Sequence, residues 1–139
     1  MIVVALIAVA AGVVSLALRD PSGTRLETEA QRLSALLESA RAESRASGLA
    51  VHWVPAREGD EADFRFLRLS GKRSEAMPMP THWLDPQIRA EVVGAPALQL
   101  GPEPIIGAQR LVLRLGHQRL LLGTDGLGPF SVVAEAAAP

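Results

Sequence analysis

Thr24-Arg-Leu-Glu-Thr-Glu-Ala-Gln-Arg-Leu-Ser-Ala-Leu-Leu-Glu-Ser-Ala-Arg-Ala-Glu-Ser-Arg-Ala-Ser-Gly48 carries a single apolar stripe. Leu26, Ala30, Leu33, Leu37, Ala40 and Ser44 recur at alternating spacings of four and three, the period of one helix face. Thr24 and Glu27 have capping-box spacing at its start, and Gly48 is placed to end it. The pattern predicts an amphipathic helix over 24–47 lying on a sheet, with Arg25, Glu29, Arg32, Glu43 and Arg45 turned to water. A free-standing coiled coil fits less well, because barely three heptads are present and several of their apolar positions are alanine.

Upstream, Met1-Ile-Val-Val-Ala-Leu-Ile-Ala-Val-Ala-Ala-Gly-Val-Val-Ser-Leu-Ala-Leu18 contains no charge. Ten of these residues are Leu, Ile or Val. Each favours insertion by roughly 0.3–0.6 kcal/mol at a helix centre, for a total of about 3–6 kcal/mol. As a helix the run is about 27 Å long, close to the roughly 30 Å of a bilayer core. Residues 1–19 therefore read as a transmembrane stem, with Ile2, Val3, Leu6, Ile7, Val9, Gly12, Val13 and Leu16 meeting lipid or neighbouring helices. Arg19 and Asp20 mark its meeting with water, and Pro21-Ser22-Gly23 reads as a break before the amphipathic helix. A second reading makes 1–17 a cleaved secretory signal, since Ser15-Leu16-Ala17 is a small-x-small site; the absence of a preceding basic region weighs against it.

Downstream, residues 50–134 read as short strands. Ala50–Val54 and Asp63–Leu69 form a pair across the polar stretch Arg57–Glu61, and Ser70-Gly71-Lys72 is a turn. Met77–Pro86, with its prolines, reads as irregular chain wrapped over the body. Ile88–Val93 and Ala97–Leu100 are further strands. Arg110–Leu115 alternates strictly, which puts Leu111, Leu113 and Leu115 on one face. Gly116-His117 then fits a two-residue turn into Gln118–Leu122. Gly123–Gly128 reads as a flexible loop before a last strand, Pro129–Ala134. The fold class is α+β: an apolar helix continuing into an amphipathic one packed on antiparallel sheets.

The 139 residues carry a net charge of −1, no cysteine, no tyrosine and 4% aromatics. Thiol catalysis, disulfides and thiolate metal sites are excluded, and stacking platforms for bases are disfavoured. His52, His82 and His117 lack ligand spacing, so no metal is expected. Gly123-x-x-Gly126-x-Gly128 has no lysine and leads into a strand, so it reads as a turn and not a phosphate loop. No Gly-x-Ser-x-Gly elbow is present, and no enzyme, cofactor or catalytic residue is expected. Trp53 reads as buried, whereas Trp83, flanked by prolines, is weighed as an interface anchor against a core residue.

Three stretches resemble the type IV pilin-like proteins, in particular the H-type minor pseudopilins of type II secretion and a related minor pilin of DNA-uptake pili. Met1–Gly12 looks like the apolar stem that follows the family's Gly-Phe-Thr-x-x-Glu processing motif. Leu26–Glu43 is similar to the second half of the family's long helix. Gly126-Leu-Gly-Pro-Phe-Ser-Val132 looks like its closing glycine loop and Pro-Phe-led strand. The processing motif itself is not in these 139 residues, so the expectation of prepilin-peptidase processing and N-methylation rests on the resemblance alone.

The resemblance implies a stem of residues 1–19 in the bacterial inner membrane and a globular domain of 20–139 in the periplasm. It implies a structural subunit that supports protein export through filament assembly. Its partners would be major and minor pseudopilins, the inner-membrane assembly platform, membrane lipid and secreted cargo. The alternative is a minor pilin that takes up DNA, for which Arg110, Arg114 and Arg119 could share a hairpin face. The acidic, apolar end Ala134–Pro139 counts against nucleic acid.

Overall fold

The computed structural model describes residues 21–133, and the predicted stem lies outside them. One helix and eight strands follow in order: α1 (Pro21–Ser47), β1 (Ala50–Pro55), β2 (Phe64–Ser70), β3 (Arg73–Ala76), β4 (Arg89–Val92), β5 (Leu98–Gln99), β6 (Gln109–Leu115), β7 (Gln118–Thr124) and β8 (Ser131–Val132). Two four-stranded antiparallel sheets result, in the orders β3-β2-β1-β5 and β4-β6-β7-β8. Helix α1 lies across both, touching β1 of the first and β6, β7 and β8 of the second.

The helix buries Leu26, Ala30, Leu33, Leu37, Ala40 and Ser44, each no more than 1% exposed. Sheet one meets this stripe with Val51, Trp53, Phe64 and Phe66, and sheet two with Leu111, Leu113, Leu115 and Leu122. Burial of one leucine side chain contributes about 1.5–3 kcal/mol, so this shared stripe supplies much of what holds the sheets together. Gly48, at φ +72°, ends the helix by donating its N–H to the Ser44 carbonyl at 2.9 Å. Among the described residues no helix is long and apolar enough to cross a membrane.

Several expectations are corrected. Pro21–Gly23 are already helical, so Thr24 lies exposed within the helix and is not its N-cap. Glu29 does not face water: it is 1% exposed. Strand β3 follows the turn expected at Ser70-Gly71-Lys72 and was not foreseen; all four of its residues are exposed, so it offered no apolar alternation. The last strand is confined to Ser131–Val132 among the described residues.

Candidate functional site

Helix α1 fixes two loops through polar side chains on either side of its apolar stripe. Toward its N-terminal half, Glu29 accepts hydrogen bonds from Arg32 Nη1 at 2.6 Å and from the Leu84 amide at 3.1 Å. Arg32 also donates to the His82 carbonyl at 3.1 Å, and Arg25 pairs with Asp85 at 3.1 Å. Together these tie the irregular segment His82–Asp85 to the helix. The segment is also held from the sheet side, where Asp63 accepts from the Trp83 amide at 2.8 Å and lies 3.4 Å from His82 Nδ1.

Toward the C-terminal half, Ser34, Glu38 and Arg41 follow at helical spacing and hold the closing loop. Ser34 Oγ donates to the Phe130 carbonyl, and Glu38 accepts from the Phe130 amide at 3.3 Å. Arg41, 2% exposed, donates to the carbonyls of Gly126 at 2.9 Å, Gly128 at 2.8 Å, Pro104 at 3.2 Å and Leu127 at 3.3 Å. Its Nε has no hydrogen-bond partner, and the Glu38 carboxylate lies 3.6 Å from its Nη1. A planar fork of donors suits this cluster of carbonyls in a way that a lysine ammonium does not.

The loop also orders itself. Thr124 Oγ1 bridges the Gly126 amide and the Gly128 carbonyl, at 2.9 and 2.7 Å. Asp125 Oδ1 accepts from the amides of Leu127 and Gly128, both at 2.9 Å. These backbone bonds, that from Gly128 foremost, hold the Asp125 carboxyl below its ordinary value of 3.8. The stretch read as flexible is thus pinned from the helix and from within. Leu127 and Ile105, 67% and 62% exposed, flank the bond from the Ile106 amide to the Gly126 carbonyl and form an apolar knuckle on the two joined loops.

Trp83 lies at the buried end of the choice weighed for it. It is 6% exposed, with its ring centroid 4.5 Å from Phe64 and 6.3 Å from Trp53, so it is part of the core and not a surface anchor. No group of three or more metal-ligating side chains comes together among the described residues. Arg110, Arg114 and Arg119 do share the outer face of the β6–β7 hairpin, with Arg114 directly opposite Arg119. The stem residues Ile2, Val3, Leu6, Ile7, Val9, Gly12, Val13 and Leu16 lie outside the described residues.

Sequence reasoning missed Glu29, Ser34, Glu38 and Arg41 as structural contacts. It also missed Gln109, whose side-chain amide accepts from the Gln99 N–H at 2.7 Å and donates to the Gln99 carbonyl at 2.8 Å. That pair of bonds imitates a strand pairing and joins sheet one to sheet two.

No protein-family model and no curated protein matches the sequence. Two crystal forms of the type IV minor pilin FimU from Pseudomonas aeruginosa resemble the structure. One gives a TM-score of 0.61 at 14% identity over 86% of this chain and 96% of that one. The other gives 0.58 at 16% identity over 81% and 95%. With the one helix among its described residues laid across two antiparallel sheets, and this likeness over most of its length, the chain has a pilin-like α+β fold.

Proposed function

We propose that this chain is a minor pseudopilin, a structural subunit of a type II secretion pseudopilus that assembles through its N-terminal helix to support protein export. The reading rests above all on one juxtaposition: a charge-free apolar run of eighteen residues ends at Leu18, and three residues later the chain is in a helix locked to two sheets. Such a subunit is stored with residues 1–19 in the inner membrane and its globular part in the periplasm. On assembly the stem leaves lipid and packs against neighbouring stems. Alanine, Gly12 and Ser15 suit both states, because small residues let helices approach closely. Gly12 also lowers the cost of bending there, since glycine is about 1 kcal/mol less helix-favouring than alanine. The partners are then other pseudopilins and the assembly platform, with no enzyme activity and no cofactor.

The test is the N-terminal residue and intact mass of the protein purified from its native membrane. An N-methylated phenylalanine upstream of Met1 is the expected result. A mature start near Leu18 would mean a cleaved signal and would overturn the proposal.

A minor type IV pilin is the second reading, favoured by the likeness to FimU. Co-purification of the membrane-extracted protein with secretion pseudopilins, or instead with pilus subunits, separates the two. Uptake of DNA would require a salt-dependent shift of a DNA duplex that depends on Arg110, Arg114 and Arg119.

A further inference from the structure

The segment around Trp83 runs down helix α1 toward its N-terminus, one tie at a time. Arg32 donates to the His82 carbonyl, Glu29 receives the Leu84 amide, and Arg25 pairs with Asp85, each at 3.1 Å. After Asp85 the chain reverses in a tight turn. The Ile88 amide donates to the Asp85 carbonyl at 3.1 Å, and Asp85 Oδ1 accepts from the Gln87 amide at 2.9 Å. The tip, residues 84–87, is thus carried at the level of Arg25. Leu84 is 65% exposed there, and Pro86 and Gln87 are exposed beside it.

The position of this tip gains meaning from the sequence that precedes the helix. Four helical steps from Pro21 to Arg25 cover about 6 Å. Three further steps back to Leu18, the end of the charge-free run, span at most about 11 Å. The headgroup layer outside the hydrocarbon is itself about 5–7 Å thick. With residues 1–18 in a bilayer, a turn held at the level of Arg25 stands within reach of that layer.

A lone exposed leucine is ordinary, but this one is fixed in advance. Trp83 before it is in the core and its own amide is held by Glu29, so its backbone has little freedom left to lose on contact. The carboxylates beside it are balanced, Asp85 by Arg25 and Glu29 by Arg32. Farther off the surface turns acidic. Asp63, which accepts from the Trp83 amide at 2.8 Å, ends a loop in which Glu58, Asp60 and Glu61 are exposed. A lipid surface without net charge suits this arrangement, whereas an anionic one would be repelled by that loop.

We propose that residues 84–87 rest on a zwitterionic lipid surface, with Leu84 seated among the headgroups, so that the globular part stands over its stem in one orientation. The proposal rests on the reading of residues 1–19 as a membrane stem.

The chain has no cysteine, so one nitroxide can be attached to the full chain at a chosen place. Gln87→Cys carries it on the turn. Leu127→Cys carries it, as the reference, on the loop held by Arg41, about 24 Å farther along the helix than Arg25. Each labelled chain is reconstituted in phosphatidylcholine vesicles and floated, and its collision rate with a water-soluble nickel complex is read by electron spin resonance. The rate at position 87 is expected to fall about fivefold or more below that at 127, the shift that part-burial of one leucine supports. Leu84→Asp, at a position outside the core, is expected to abolish the difference. A chain that floats with the vesicles but has equal rates at the two positions overturns the proposal and leaves the stem reading intact. A chain that does not float overturns the stem reading, and the proposal with it. Protection that survives Leu84→Asp, or that arises only when phosphatidylglycerol is added, assigns the contact to charge and overturns the proposal as well.

Discussion

The guanidinium of Arg41 donates to the Gly128 carbonyl at 2.8 Å across 87 residues of chain, and so binds the end of the only described helix to the loop that closes the second sheet. Three further carbonyls share the same guanidinium. Removing it takes a donor from all four carbonyls, of which Gly126 keeps the Ile106 amide and Gly128 the Thr124 hydroxyl, and leaves the loop tied to the helix only through Ser34 and Glu38 at Phe130.

Arg41→Met is therefore expected to destabilise the protein by on the order of 3 kcal/mol. Arg41→Lys keeps the charge but offers a single point of donation, and is expected to recover less than half of the loss. Urea unfolding of the detergent-solubilised chain measures both. Amide exchange at Gly126–Gly128 is expected to rise well before global unfolding.

Gly126 has φ +100°, and a side chain there would place its Cβ 2.7 Å from the backbone of Gly107. Gly126→Ala thus meets both an unfavourable backbone conformation and another loop's main chain. A loss of more than about 2 kcal/mol in the same unfolding experiment is expected.

Buried Glu29 balances Arg32 and receives the Leu84 amide. Glu29→Ala leaves that amide and a cation without their acceptor, at an expected cost of about 2–3 kcal/mol. Glu29→Gln keeps an acceptor and is expected to cost less. Trp83 fluorescence reports the difference, because loosening of His82–Asp85 exposes the indole and shifts its emission to the red.

Asp125 gives a pH prediction of definite sign. Its folded value lies below the unfolded one because it accepts the Gly128 and Leu127 amides. Its contribution is present above the ordinary aspartate range and is lost as pH falls through the depressed folded value. The amide resonances of Leu127 and Gly128 are expected to titrate below pH 3.8, the unperturbed value. In Asp125→Asn, which keeps the acceptor oxygen without the charge, they are expected to stay flat.

Trp83→Ala opens a hole beside Phe64 and Trp53 and is expected to cost about 3–5 kcal/mol. Calorimetry of the extracted protein is the check.

The apolar framework could be read from the sequence because period alone encodes it. Leu26 to Ser44 kept a helical repeat, and Leu111, Leu113 and Leu115 an alternating one; each set occupies one buried face. What periodicity could not supply was the destination of the polar residues. Glu29 and Arg41 look like solvated positions until the loops they bind are placed, and those loops return 55 and 85 or more residues later. Strand β3 was invisible for the opposite reason: with Arg73, Ser74, Glu75 and Ala76 all exposed, only pairing with β2 makes it a strand. The alignment of Arg89, Arg114 and Arg119 across sheet two was half legible. The β6–β7 turn set Arg114 against Arg119, while the addition of Arg89 depended on β4 joining the sheet across a long connection.

The bond pair between Gln109 and Gln99 makes the two sheets answerable to each other. Asparagine is a methylene too short to reach both backbone groups, and glutamate has no N–H to give. A slip of either strand by one residue would turn the amide to the opposite face and unfasten it. One side chain thus works as a keyed joint, which admits a single relative seating of two separately hydrogen-bonded halves.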